Sequence, residues 1–205
     1  MRSTLPALLV ALLAAPAVSQ DTAAGPAYNI ELIIVQAKTA QGGAENWSAE
    51  TAAADDAVVG AESSSSGSSQ VGRFVNVLPT TQFQLTEVEN RLRASSAYVP
   101  VAHVAWSQTA SAWGTRAGFP VQKLGIDVPG LSGNVFLERG QYLHLGMTLS
   151  YAMPTPPAGL GAGPGTTFTL SQSRRIRFYE RNYYDHPAFG VITLVTPAQG
   201  RPPGR

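Results

Sequence analysis

Alternation of apolar and polar residues is the main pattern of this sequence, and it predicts strands. It is clearest in the stretch YNIELIIVQA, where every second residue from Tyr28 to Ile34 is large and apolar. The residues between them are also largely apolar, and β-branched side chains suit a buried, pleated surface. This stretch is therefore predicted to be a central strand of a sheet.

Similar patterns recur along the rest of the chain. Residues 97–108, 166–184 and 189–197 each predict a strand, and residues 135–149 predict a hairpin that turns at Glu138 to Gln141. Pro100 disfavours a fully paired central position for its strand. Because short turns join consecutive strands, antiparallel pairing should dominate.

One segment predicts a helix instead. In QLTEVENRLRASS, Leu85, Val88 and Leu92 recur at helical spacing, and Thr86 with Glu89 fits a capping box. The helix should cover one face of the sheet. The predicted fold class is α+β, mainly an antiparallel β-sheet of about six to seven strands with one packed helix.

The two ends of the chain and one internal segment do not follow these patterns. Arg2, the apolar run 5–18 and the small residues Ala17 and Ser19 predict a cleavable signal peptide over residues 1–19. Residues 20–27 read as a linker and 28–197 as a single domain. The Ala/Gly/Ser-rich segment 39–72 has Trp47 as its only large apolar residue and predicts a flexible loop. Residues 198–205 predict a disordered tail.

Composition narrows the function classes. The formal net charge of +1 gives no reason to expect nucleic acid as a partner, and only 13% of the residues are charged. The absence of cysteine excludes disulfides and thiolate chemistry. No run after the signal peptide reaches the roughly 18 apolar residues of a transmembrane helix. An exported protein without disulfides fits the bacterial periplasm.

The stretch SRRIRFYERNYYDHPAFGVI, residues 173–192, concentrates arginine and tyrosine near the end of the chain. As one continuous strand it would carry a core-facing side and a polar side. Arginine pairs with carboxylates through two parallel N–H donors, and tyrosine offers a flat face and a hydroxyl. The polar side is a candidate ligand-binding surface, although a solvated outer face would look the same. Its residues are Arg175, Arg177, Tyr179, Arg181 and Tyr183.

The three histidines suggest neither catalysis nor metal binding. Asp185 precedes His186, but adjacent residues in a turn rarely build a catalytic pair, and Pro187 favours a hairpin corner. His103 and His144 lie on predicted strands with no close-spaced second ligand, which favours buried, hydrogen-bonded histidines. Dinucleotide and phosphate-binding motifs are absent as well. We therefore expect no catalytic residues, no metal and no cofactor.

Four stretches resemble the CsiV family of periplasmic peptidoglycan-binding, cell-shape-integrity proteins. They are YNIELIIVQ, YVPVAHVAWSQ, GQYLHLGMTLSY and the closing SRRIRFYERNYYDHPAFGVITLVTP. The sequence departs from the family pattern at Asn182, where the family usually has histidine, and at Phe178 and Tyr179, where it often has a small residue. The matching residues are His103, Trp106, Gln108, Tyr142, His144, Arg174, Arg175, Arg177, Glu180, Tyr183, Asp185, His186, Pro187 and Gly190.

This resemblance implies a non-enzymatic periplasmic protein that binds peptidoglycan. It also implies a role in cell-wall synthesis and cell shape through outer-membrane lipoprotein activators of penicillin-binding synthases. Two alternatives remain open at this point. One is a protein-interaction subunit of an envelope complex without wall affinity, and the other is a wall-cleaving hydrolase, for which no paired-acid motif is present.

Overall fold

The computed structural model describes residues 25–39 and 75–198, which form ten strands and one α-helix. Two short 3-10 turns, Thr80–Gln82 and Val121–Leu124, join them. In chain order the elements are β1 (Ala27–Ala37), β2 (Val75–Val77), α1 (Thr86–Arg93), β3 (Tyr98–Thr109), β4 (Ser111–Ala112), β5 (Phe119–Pro120), β6 (Leu131–Arg139), β7 (Leu143–Ala152), β8 (Thr167–Arg175), β9 (Arg181–Tyr184) and β10 (Phe189–Pro197).

The strands divide into two five-stranded sheets. Sheet 1 has the order β2-β3-β1-β10-β9, and sheet 2 has the order β4-β6-β7-β8 with β5 also paired to β6. Strand β1 lies at the centre of sheet 1, antiparallel to both β3 and β10, which confirms the predicted central strand. The parallel pairing of β4 with β6 is short, and the other pairings are antiparallel.

The two sheets pack face to face around one apolar core. One side of β1 buries Ile30, Leu32 and Ile34 against Leu145 and its neighbours in sheet 2. Burying a side chain of this size stabilises a fold by about 1.5–3 kcal/mol. A polar link also joins the sheets, since the buried Tyr184 hydroxyl on β9 donates to the carbonyl of Leu145 on β7 at 2.8 Å.

Helix α1 covers the opposite face of sheet 1, as the spacing of its apolar residues predicts. Leu85, Val88 and Leu92 pack against a second apolar cluster on β1 and β10. The predicted capping box is wrong. Thr86 is the first residue inside the helix rather than its cap, and the N–H of Glu89 donates to the carbonyl of Leu85. The Glu31 carboxylate on β1 accepts hydrogen bonds from the backbone N–H groups of Gln84 and Leu85, at 2.7 and 2.8 Å.

The α+β class is confirmed, and two details differ from the prediction. Strand β2 lies within the stretch RFVNVL, residues 73–78, which predicts a short strand. The described residues include more strands than predicted because β4 and β5 are only two residues long, too short to show alternation, and because one predicted strand divides into two. The single strand predicted over 166–184 is wrong. The chain leaves sheet 2 after Arg175, turns at Phe178 and Tyr179, and joins sheet 1 at Arg181. Tyr179 has a positive φ of 63° at this turn.

Pro100 lies at an irregular point of its strand, as expected for a residue that has no backbone N–H to donate. It lies in β3 opposite Val35, where the pairing register with β1 shifts. The other neighbour of β3, strand β2, pairs only with Trp106 to Gln108, so Pro100 has a described strand on one side only. No helix within the described ranges is long and apolar enough to cross a bilayer. The predicted signal peptide, nearly all of the 39–72 loop and nearly all of the tail lie outside the described residues.

Candidate functional site

The break after β8 divides the five predicted ligand-binding residues between two surfaces. Arg175 lies on the outer face of sheet 2, whereas Arg181 and Tyr183 lie on β9 in sheet 1. Tyr179 is at the turn and Arg177 just before it, both exposed. The structure therefore forms two candidate surfaces rather than one stripe.

The first surface is an aromatic patch formed by Trp113, Tyr142, His144 and Arg175. Cross-strand pairing places Arg175 of β8 directly opposite His144 of β7. Tyr142 comes from the turn before β7, and the Arg175 guanidinium carbon lies 3.4 Å from the centre of its ring. The Trp113 ring lies 4.2 Å from that of His144. Trp113 and Tyr142 are 57% and 42% exposed, unusually open for such large side chains.

Contacts beneath the patch fix its geometry. Ser111 of β4 donates to the carbonyl of Leu137 at 3.1 Å, which holds the segment leading to Trp113 against sheet 2. The buried Glu138 carboxylate accepts the backbone N–H of Arg116 and so anchors the loop after Trp113. His144 Nδ1 is buried and has no hydrogen-bond partner among the described residues. Trp113 and Arg175 are thus presented on a supported surface.

Hydroxyl groups continue the same face of sheet 2 beyond the patch. Thr148 pairs with Ser171 at 3.2 Å between the side-chain oxygens, and Ser150 pairs with Thr169 at 3.3 Å. These residues are exposed or half-buried, and their hydroxyls remain able to bond to a ligand. An aromatic plane, a guanidinium and rows of hydroxyls are chemically suited to a sugar chain that carries carboxylates.

The second surface is the tyrosine cleft, of about 120 Å³, at the end of sheet 1 where β9 turns into β10. Tyr183 lies across Gly190, where any β-carbon would collide with its ring. Asp185 and Tyr98 of β3 line the same cleft beside Tyr183. Burial, together with the negative charge of Asp185, raises the pKa of Tyr183 far above its usual range. The hydroxyl therefore stays protonated at any physiological pH.

Tyr179 and Arg181 line a separate shallow depression of about 170 Å³ beside α1. Its other walls come from the first turn of the helix and from Leu194, and they include Glu87. Tyr179 is 69% exposed, and its backbone N–H donates to the carbonyl of Val195 at 3.0 Å, which fixes the turn to β10. Within the described residues, no side-chain hydrogen bond or ion pair orients Arg177 towards either surface.

His186 forms the hairpin corner, as the turn residues predict. The backbone N–H of Ala188 donates to its Nδ1 at 3.1 Å, and strands β9 and β10 pair on either side. Its ring packs against Phe168 and Phe189, with centres 5.7 and 5.2 Å apart. Burial lowers the pKa of His186 despite the opposing charge of Asp185, so the imidazole is neutral near pH 7.

Several residues of the family resemblance stabilise the fold rather than form a surface. His103 lies between two carboxylates, with Nε2 2.7 Å from Glu31 and Nδ1 2.6 Å from Glu89. Trp106 is fully buried, and its indole N–H donates to the side chain of Gln108 at 2.7 Å. The described residues contain no group of His, Asp and Glu arranged to hold a metal ion.

Tyr98 was not identified from the sequence as a residue of the tyrosine cleft, and the outer face of β8 was not selected as a candidate surface. Tyr98 meets Tyr183 only because β3 and β9 lie in the same sheet, separated by β1 and β10, and nothing local to residue 98 indicates this. The outer face of β8 could have been recognised from the regular spacing of Thr169, Ser171 and Ser173. Arg174, on the opposite side of that strand, instead lies over the Tyr184 ring at 5.3 Å.

Comparison with known proteins gives one finding. A family model described as "Peptidoglycan-binding protein, CsiV" matches residues 5–198, nearly the whole chain. No curated protein and no solved structure gives a significant match. Because the family match spans both sheets, the helix and the two candidate surfaces, the chain belongs to the CsiV family of peptidoglycan-binding proteins.

Proposed function

We propose that this chain is a non-enzymatic periplasmic protein that binds peptidoglycan through the aromatic patch of sheet 2. The observation that carries the proposal is the aromatic patch itself, in which two exposed aromatic rings and a guanidinium lie on the same face of sheet 2 as two pairs of hydroxyl groups. Trp113 would stack on a sugar ring. Arg175, already held over Tyr142, would pair with a carboxylate of the glycan or of its peptide stem.

The remaining predicted residues would add separate contacts outside the patch, because Tyr179 and Arg181 line the depression beside α1. Arg177, Tyr179 and Arg181 are exposed, and each adds a cation or a flat ring on the chain that leads from one sheet to the other. Arginine is well suited here because its planar fork matches a carboxylate and it is weakly hydrated. Sacculi carry many such carboxylates, so several moderate contacts would act together.

A sacculus pull-down tests the patch. We expect Arg175→Ala to weaken binding of the mature protein about tenfold, since a hydrogen bond to a charged group contributes roughly 1.5–3 kcal/mol. We expect a similar loss for Trp113→Ala, since burying a large apolar side chain contributes about 1.5–3 kcal/mol. Arg91→Ala is the matched control, because it removes an exposed arginine of α1, on the other sheet, whose ion pair among the described residues is with Glu87. Equal pelleting of all three variants and wild type would remove the patch from the site.

Salt separates this proposal from a subunit that meets only an acidic protein partner. At about 0.5 M salt the Debye length falls to a few ångströms, and exposed charge pairs weaken strongly. Stacking on Trp113 does not depend on charge, so we expect measurable sacculus binding to remain. Release of soluble muropeptides by the purified protein would instead support a hydrolase.

We further propose that wall binding serves cell-wall synthesis and cell shape through outer-membrane lipoprotein activators of penicillin-binding synthases. This step is supported by the family resemblance and by the predicted signal peptide over residues 1–19, which would deliver the mature chain to the periplasm. A reconstituted synthase with its activator should make glycan strands faster when this protein is added. An unchanged rate would rule out this route.

A further inference from the structure

The tyrosine cleft has the composition of a cation site. Its lining includes the rings of Tyr98, Tyr183, His186 and Phe189, together with the Asp185 carboxylate. Aromatic faces attract cations through the negative charge above the ring, and cages of such rings recognise ammonium groups. A carboxylate at the rim adds direct charge complementarity.

No lysine or arginine among the described residues forms an ion pair with Asp185. The nearest candidates are engaged elsewhere. Lys38 Nζ donates to the carbonyl of Ser95 at 2.9 Å, and Arg174 lies over Tyr184 and bonds to Gln172 at 3.0 Å. Asp185 is exposed, while Gln172 holds its backbone carbonyl in place at 2.9 Å. The carboxylate is therefore fixed at the cleft and accessible to a cation from outside.

The cleft is large enough for an ammonium group on a short alkyl chain, since its volume is about 120 Å³. Tyr183 is held flat by the absence of a side chain at Gly190, so the ring is already in position to receive a cation. The buried floor formed by Phe189 suits the alkyl part of such a group.

We propose that the tyrosine cleft binds the free ammonium group of a diamino acid side chain in the peptide stem of peptidoglycan. This inference rests on the proposed function and deepens it, because it gives the peptide stem a second contact that is distinct from the aromatic patch. Asp185 pairs with the ammonium, and the Tyr98 and Tyr183 rings and hydroxyls enclose it. The protein would then distinguish stems with a free amine from stems whose amine is cross-linked.

The first experiment compares native sacculi with sacculi whose amines have been acetylated. We expect wild type to bind native sacculi at least threefold more tightly than acetylated ones, in keeping with one enclosed ammonium contact. Asp185→Asn, which keeps size and shape, should abolish the preference. Glu87→Gln is the matched control, since it neutralises an exposed carboxylate beside a different depression and should leave the preference unchanged.

A soluble probe tests the cleft without sacculi. Titration with n-butylammonium chloride should shift the ring resonances of Tyr98 and Tyr183, whereas n-butanol should not, and Asp185→Asn should remove the effect. If neither probe moves these resonances, or if wild type binds native and acetylated sacculi equally, the ammonium site is wrong while wall binding stands. Failure of wild type to bind any sacculi would overturn the proposed function itself.

Discussion

Replacing His103 by alanine should destabilise the fold by about 3–5 kcal/mol, the cost of breaking a buried ion pair by removing one partner. The side chains of His103 and Glu31 are each only 6% exposed, so Glu31 would be left in the interior without its cation. The same change releases Glu89 and with it the main polar contact between α1 and β3. Urea unfolding of wild type and variant measures the loss.

The pH dependence of stability identifies the charge as the cause. Burial alone would lower the pKa of His103, but its hydrogen bonds to Glu31 and Glu89 outweigh burial and raise the pKa above the usual value of 6.5. Its contribution should therefore be complete below about pH 6.5, the unfolded value, and be lost as the pH rises through the folded pKa. The stability of the His103→Ala variant should not show this decrease as the pH rises.

Glu89 sets the lower pH limit of the stabilisation by the His103 ion pairs. Burial opposes its charge, yet the hydrogen bonds to His103 and Arg93 lower its pKa below 4.5. Its contribution is present above that value and is lost as the pH falls through the lowered pKa. Arg91→Ala serves as a control, because an exposed i,i+4 pair contributes about 0.3–0.5 kcal/mol. Identical pH profiles for wild type and His103→Ala would contradict the assignment.

Replacing Trp106 by alanine should cost a comparable 3–5 kcal/mol through the large cavity it leaves between the sheets. Trp106 is fully buried, and Gln108 accepts its indole N–H in the interior. Trp106→Phe should cost less for packing but still leave the Gln108 oxygen without its donor, a penalty of about 1–3 kcal/mol. Chemical unfolding at fixed pH measures both variants.

Trp113→Ala provides the comparison that separates structure from binding. Trp113 is 57% exposed, so its removal should leave the unfolding free energy within about 0.5 kcal/mol of wild type while weakening sacculus binding. Trp106→Ala should lower the unfolding free energy, whereas any fraction of this variant that remains folded should bind sacculi as wild type does. A loss below about 1 kcal/mol for Trp106→Ala would mean that the sheets repack, and the rigid-core interpretation would be wrong.

Much of the fold followed from local pattern. The alternation in residues 28–37 predicted β1, the spacing of Leu85, Val88 and Leu92 predicted α1, and the sequence around His186 predicted a hairpin corner. Each of these signals depends on neighbours within a few residues, where side-chain direction is set by the period of the helix or strand. The capping box failed because the helix begins one residue earlier than the box requires, with Leu85 as the N-cap, and the backbone N–H of Leu85 donates to the distant Glu31 carboxylate.

The sequence by itself determined the α+β class, the central strand, the helix and the family. Only the tertiary structure decided where the Arg/Tyr stretch changes sheets, which brought Arg175 to Trp113 and Tyr142 and took Tyr183 to Tyr98. The apolar face that holds Ile176 and Phe178 continues with Glu180 and Asn182, so the alternation fades near the turn but does not show that the chain joins the other sheet there. The break occurs because two sheets must close over one core, and Ile176 and Tyr184 are buried in that same core from different sheets.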